Sequence, residues 1–369
     1  MLQSFLFKIK DHRRGQGRRY QLGHILFFSV LAILGNATSY RKVHAFIKAH
    51  YETLNQTFGL NWNRLPAYTT VRAIIQGTSS DDLEASFRAY SEGLAKREAE
   101  QPCVAFDGKV LRGSFDHFQD QKAIQMLSAF LTGPQRIILA HEEIARKTNE
   151  IPTAQDLMRE LGLSGCIFTF DAINCQEKTL DVAKETGNEV IVQVKGNQKT
   201  LFNDCQTMAA MLAPADTYQE PTTKAHNRIE RRSVAVFASP LFQDVDKWHL
   251  VEAVVKVDRK RWSFDTKHDE WKPSHEISYY IATTHLSAET FCQAIRHHWG
   301  IENRDHCVRD VTLGEDTSRI RTNPHLFAKL RSFALNILRT NQVENVSLEL
   351  FENCLNINRI LNYVGVRQN

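Results

Sequence analysis

Two short apolar runs, Val104-Ala105-Phe106 and Ile167-Phe168-Thr169-Phe170, each stop at an aspartate, Asp107 and Asp171. Runs of this length without polar alternation suit strands buried on both faces, which occur where helices cover a largely parallel sheet. The carboxyl ends of strands in an open α/β sheet are where ligand and metal sites form. A single aspartate there is more simply a turn former or a helix N-cap. Two of them on neighbouring strands are a different object.

The surrounding pattern supplies the sheet. Strand-like segments at 103–106, 126–131, 136–141, 166–170 and 189–194 alternate with helical patterns at 151–161 and 177–186. The order strand, strand, strand, helix, strand, helix, strand predicts an α/β sheet with a mixed edge. Residues 1–97 read as helical, with dense apolar periodicity from His24 to Ile47, a helix start near Thr69 and another capped at Asp81-Asp82. From Lys195 to His285 the pattern turns β-rich (230–238, 248–257, 276–282), as in an insertion; helices return at 287–311 and 326–339. The division expected is therefore a helical N-terminal region at 1–97, the first part of a core at 98–200, a β-rich insertion at 201–285, the second part of the core at 286–345 and a tail at 346–369.

Composition narrows the setting. Apolar residues make up 42% and charged residues 24% of the 369, the balance of a folded globular chain. Seven cysteines at 103, 166, 175, 205, 292, 307 and 354 form no C-x-x-C pair, which argues against a disulfide framework or a cysteine-rich zinc module and for a reducing, cytoplasmic setting. The longest apolar run, Ile25–Leu34, falls well short of a membrane span, and its periodicity continues through Val43 and Ile47, so it reads as a buried helix rather than a signal peptide.

The formal net charge is only +4, yet residues 1–50 hold nine Lys and Arg, among them Arg13, Arg14, Arg18 and Arg19, against a single acid, Asp11. A second tract, 317–343, carries Arg319, Arg321, Lys329, Arg331 and Arg339 and no acid. Such tracts can neutralise phosphates and release counterions; the bland alternative is a solvated charged face. Flanking an acidic site, they favour double-stranded DNA as the partner, engaged by a homodimer, with no role for a membrane.

The third acid is Glu302 in A-I-R-H-H-W-G-I-E-N-R-D-H. Helical spacing places Ile295, His298, Trp299, Asp305, His306 and Arg309 beside it. Three carboxylates from two strands and a helix make a hard, oxygen-lined site suited to Mg²⁺, with Mn²⁺ as substitute. Two ions there, about 4 Å apart, would serve phosphodiester hydrolysis or transfer. A competing reading takes His298, Glu302 and His306 as zinc ligands, but it leaves both strand aspartates unexplained. Lys109 and Arg112 after Asp107, Lys195, Asn197 and Gln198 after the strand ending at Val194, His298 and Arg309 on the Glu302 helix, and Arg228, Arg259, Lys260 and Arg261 in the β-rich stretch are further candidate DNA contacts.

Ordered strings run over nearly the whole chain: D-H-R-R (11–14), A-F-D-G-K (105–109), T-F-D-A-I-N-C-Q (169–176), V-K-G-N-Q (194–198), R-I-E-R-R (228–232), H-W-G-I-E-N (298–303), D-V-T-L-G-E-D-T-S-R-I-R (310–321) and A-L-N-I-L-R (334–339). In them the sequence resembles the H-repeat-associated bacterial insertion-sequence transposases, a branch of the DDE superfamily. The resemblance implies a ribonuclease H-like mixed-sheet core with a β-rich insertion, preceded by a helical N-terminal domain and followed by C-terminal helices. It makes Asp107, Asp171 and Glu302 the catalytic, metal-holding triad of an enzyme that cleaves transposon ends and joins them to target DNA. The chain departs from the family pattern at Ala225-His226-Asn227-Arg228, Asp305 and Cys307. Ile295, His298 and Arg309 stand where related hairpin-forming transposases have Tyr, Arg and Lys.

Overall fold

A computed structural model describes residues 1–95, 101–115, 123–144, 149–225, 227–238 and 241–366. The boundary expected at 97 and His226 lie outside the described residues. The chain divides into two compact units built from non-contiguous pieces: one takes Met1–Arg97, Gly108–Ala145 and Ile301–Asn369, the other Glu98–Asp107 and Arg146–Gly300.

The first unit is mainly helical. It begins with α1 (Leu2–Leu6), α2 (Leu22–Leu34), α3 (Tyr40–Ala49), α4 (Tyr51–Phe58), α5 (Tyr68–Gln76) and α6 (Ser80–Leu94). Helix α2 is apolar around nearly its whole circumference and is buried accordingly. The single helical pattern read from His24 to Ile47 is two helices. The chain turns at Asn36, which has a positive φ of 67°, and restarts where Ser39 Oγ accepts the Lys42 N–H as an N-cap. Chain order then brings β1 (Cys103–Val110), whose last three residues belong to this unit, and the antiparallel hairpin β2 (Gln125–Leu131) and β3 (Ile138–Ile144).

The second unit holds a large mixed sheet. Its elements in chain order are α7 (Glu150–Glu160), β4 (Ile167–Phe170), α8 (Glu177–Glu185), β5 (Glu189–Val194), α9 (Lys199–Met211), β6 (Asp216–Gln219), β7 (Thr223–Ala225), β8 (Arg228–Ala238), β9 (Ala253–Asp265), β10 (Glu270–Ala282) and α10 (Ala288–His298). The spatial order is β1-β4-β5-β10-β9-β8-β6, with β7 also on β8; β1, β4 and β5 are parallel and the rest antiparallel. The β-rich stretch thus continues the same sheet: Tyr279–Ala282 pair with Val194–Ile191 at the edge of β5. Helix α9 was not anticipated within it. Helix α10 covers one sheet face, and Phe291 and Ile295 bury against Ile167, Ile191 and Tyr280. Each such side chain contributes roughly 1.5–3 kcal/mol on full burial.

After α10 the first unit resumes. The helix expected over 287–311 ends at His298, and residues 301–306 and 308–312 are π-helical. Single π-turns within helices mark functional sites more often than chance. Helix α11 (Pro324–Thr340) starts with proline at its first position, where the missing N–H costs nothing, and is buried around most of its surface. Helices α12 (Val346–Leu355) and α13 (Ile357–Leu361) close the chain. No helix among the described residues is long and apolar enough to cross a membrane.

Candidate active site

The parallel register Ala105↔Thr169, carried two residues further, sets Asp107 abreast of Asp171. Phe106 and Phe170, one step earlier, stack with ring centroids 4.8 Å apart, as partners on the opposite face should. Neighbouring strands lie about 4.8 Å apart, and side chains at matched positions emerge on the same face. Both aspartates are half-exposed. Asp171 also fills the bland role: its Oδ1 accepts the Ile173 N–H at 3.2 Å, capping the turn after β4.

Alternation puts Ile167, Thr169 and Asp171 on the face that α10 covers. At the end of α10, the buried His298 ring places Nδ1 3.0 Å from Thr169 Oγ1. Burial holds His298 down at about 4, only partly offset by the threonine, so the ring is neutral. Glu302 follows four residues later and is exposed. Asp305 and Arg309, expected beside it, are fully buried instead, because the π-helical turn changes which positions share a side.

A further carboxylate, missed in the sequence, accompanies Asp171. The side-chain amide of Asn174 donates to Glu150 Oε1 at 3.0 Å and approaches Asp171 Oδ1 at 3.5 Å. Burial raises Glu150 above the usual carboxylate range; the Asn174 bond offsets this and Asp171 adds to it. On β5, Gln193 lies abreast of Asp171; it is buried, and its Oε1 has no hydrogen-bond partner among the described residues. Asp265, His268 and Glu270 bring ligand atoms within 4.8 Å of one another at the β9–β10 turn, but Lys272 already neutralises Asp265 there.

Several expected DNA contacts are internal. Lys109 is buried and paired with Asp310 and with Glu315, the latter at 3.5 Å. Arg309 donates from Nε and Nη2 to the Glu315 carboxylate, both at 3.1 Å. Burial disfavours the Glu315 charge, but Arg309, Lys109 and Arg331 outweigh it and hold the carboxyl at about 2. Lys109, Arg309 and His298 therefore do not reach a phosphate. Lys329 and Arg331 of the second basic tract are buried too, with Lys329 3.2 Å from Glu84 and Arg331 Nε donating to the Leu313 carbonyl, and half-buried Arg339 is paired with Asp305 at 3.6 Å. Asn197 and Gln198 spend their amides on the carbonyls of Ala172 and Cys175, bracing the loop after Asp171.

In the first basic tract Arg13 forms a two-pronged pair with Asp11, and Arg18 donates to the Asp11 and Arg13 carbonyls, whereas Arg14 and Arg19 are exposed. Arg112, Lys195, Arg228, Arg319 and Arg321 are exposed, Arg112 lying 3.4 Å from Asp316. On β9, Lys260 shares a face with its register partner Arg231, while Arg259 and Arg261 point to the other, where Arg259 pairs with Glu276. The three do not form one patch.

The profile of the Transposase DDE domain family matches residues 98–338, and a DDE_Tnp_1-associated profile matches residues 3–91. Over 348 residues the chain is 28% identical to "Putative protein YbfL" of Escherichia coli K12, spanning 92% of this chain and 90% of that protein. Identity and coverage are the same for the "H repeat-associated putative transposase YhhI" of that strain. "Putative transposase YncI" of E. coli O157:H7 is 27% identical over 346 residues, spanning 92% and 87%.

Proposed function

The chain belongs to the DDE transposases, of the H-repeat-associated type, and on that footing we propose that it cuts double-stranded DNA at the ends of an insertion sequence and joins those ends to a target. Asp107 and Asp171 hold divalent metal, Mg²⁺ or Mn²⁺, on a ribonuclease H-like core, and Glu302 completes the set. The observation that carries this reading is the parallel register of β1 and β4, Ala105 opposite Thr169, each two residues ahead of one of the aspartates.

The donor set fits a hard cation. Two carboxylates emerge side by side, Glu150 is tied to the second through Asn174, and the unused acceptor of Gln193 lies abreast. Oxygen donors of this kind suit Mg²⁺ and Mn²⁺ rather than a thiophilic ion. When bound, such an ion supplies Lewis-acid activation of the attacking oxygen and neutralises charge at the phosphoryl group.

The chain's own residues supply position and charge. Asn174 fixes Asp171 against Glu150, and Asn197 and Gln198 hold the loop that follows it. His298, kept neutral, anchors the end of α10 one face position before Asp171, and after three intervening residues the chain reaches Glu302. Exposed Arg14, Arg19, Arg112, Lys195, Arg228 and Lys260 and half-buried Arg261 steer the phosphate backbone. The helical segment 1–97 is the DNA-binding region, and the β8–β10 arm guides the ends.

The test incubates the protein with Mg²⁺ and DNA carrying the terminal repeats that flank its gene. Cleaved ends together with strand-transfer products support a transposase. Hydrolysis without transfer identifies a nuclease, and binding without cleavage a protein that keeps only its DNA affinity; either overturns the proposal.

A further inference from the structure

The first unit contains a cavity of about 900 Å³ to which no part of the catalytic proposal assigns a role. That is near the top of the range of roughly 300–1,000 Å³ for ligand pockets. Four arginines line it: Arg41 on α3, Arg72 on α5, and Arg319 and Arg321 on the loop before α11. All four are exposed, and none forms an ion pair among the described residues. No acid is among its lining residues; the remainder are five serines and threonines, Tyr40, Tyr68, Gln76 and Ile320.

Four like charges facing one concavity repel each other, and a concave low-dielectric wall strengthens their joint field. Two other arginines of this unit are neutralised, Arg309 by Glu315 and Arg88 by Glu84 and Glu142. Unneutralised charge concentrated at one cavity calls for a ligand that brings its own anions. The first turn of α3 opens here as well, adding the positive end of a helix dipole.

The cavity is also held in shape. Arg331 bridges Leu313 Nε-to-carbonyl at 3.1 Å and reaches the Thr38 and Gly314 carbonyls at 3.5 and 3.4 Å, tying the arginine loop to the start of α3. Asn323 donates to the Gln76 carbonyl at 2.8 Å, tying its other end to α5. Gly314 has φ +65°, and a Cβ there would stand 3.1 Å from Thr38 Cγ2, so the close approach requires glycine. Arg41 stacks over the Tyr68 ring at 5.9 Å, which keeps its guanidinium plane beside an aromatic face.

We infer that this cavity binds the sugar-phosphate backbone of one DNA strand, with Arg41, Arg72, Arg319 and Arg321 as the phosphate-binding groups. Guanidiniums from three separate chain segments, with hydroxyls among them, offer donors to more than one phosphate, and Arg presents the planar fork that phosphate oxygens accept. The choice of DNA as the source of those phosphates rests on the proposed transposase activity. The binding site itself joins the two segments matched by the family profiles, residues 3–91 and 98–338, within one compact unit.

The experiment measures binding of a fluorescein-labelled 30-base-pair duplex by anisotropy between 50 and 300 mM KCl. It compares the full-length wild type, R41Q/R72Q, R319Q/R321Q and the control R359Q, whose arginine pairs with Glu349 away from the cavity lining. Each double variant should lower the slope of log K against log salt by about 1.8, since each phosphate contact contributes about 0.9. R359Q should leave it unchanged, and all four proteins should share one urea midpoint. Slopes in both double variants equal to wild type, with wild-type binding strong and salt-dependent, would overturn the cavity assignment and leave the transposase reading standing. Absence of wild-type DNA binding at low salt would overturn both.

Discussion

His298 Nδ1 and Thr169 Oγ1 lie 3.0 Å apart in a buried setting, tying the last turn of α10 to the strand that ends in Asp171. In the proposed enzyme this bond sets where the chain leaves α10 on its way to Glu302.

Thr169→Val should therefore cost about 1 kcal/mol of stability, the usual worth of one hydrogen bond plus the penalty of an unpaired ring nitrogen. It should lower the single-turnover cleavage rate tenfold or more while leaving the affinity for DNA unchanged. Equal rates for variant and wild type would reduce the bond to a packing detail.

Histidines kept neutral by desolvation set the acid side of the stability profile. Burial lowers His24 and His298 to about 4, from an ordinary value near 6.5. The unfolded chain therefore takes up protons first as pH falls. Their stabilising contribution is complete above about pH 6.5 and is lost progressively down to about pH 4. Urea midpoints should fall across that window, and His24→Phe should flatten the fall.

The Arg309–Glu315 pair is structural. Glu315→Gln leaves a buried guanidinium without its main partner, a loss of about 3–5 kcal/mol. Because Glu315 is held at about 2, the pair persists through mild acid and weakens only below the ordinary carboxylate range. Urea unfolding at pH 7 and pH 3.5 checks this: the difference between wild type and variant should be full at pH 7 and smaller but still present at pH 3.5, where the unfolded carboxyl is already mostly protonated.

How much of this was legible in the sequence depends on whether local pattern or a distant partner decides the outcome. Asp107 and Asp171 could be read because apolar strands of fixed period carry them, and register then aligned them. Lys109 and Arg309 could not, because their partners Asp310 and Glu315 lie at spacings that no rule of helix or strand singles out, and the i,i+4 spacing of Asp305 and Arg309 does not reveal that the pair is buried. The same limit hid Lys329 and Arg331, which a charge count places with DNA and the packing of α11 places in the interior. Glu150 escaped notice because an acid in the first turn of a helix already has an ordinary explanation in the helix dipole. The π-helical stretch at 301–312 defeats the 3.6-residue period on which the face of Glu302 was drawn.

The two faces of the β9 strand should behave differently. Arg231 and Lys260 share an exposed face, so R231E/K260E should weaken binding of transposon ends and lower the salt slope by about 1.8. Arg259 is engaged by Glu276, so R259E should change the slope little and cost at most about 1 kcal/mol, as exposed pairs do. Salt titrations of both variants decide the matter.

The claim that Asp107, Asp171 and Glu302 form one metal-dependent cutting site is tested most directly by Mg²⁺-dependent cleavage of terminal-repeat DNA by D107N, D171N and E302Q, measured alongside their DNA affinity. Each variant should bind the ends at least as tightly as wild type, since removing an acid relieves repulsion of phosphate, and each should lose cleavage by a thousandfold or more, the effect expected when a ligand of a catalytic ion is removed. Cleavage within tenfold of wild type by any one of the three would remove that residue from the site and contradict the account.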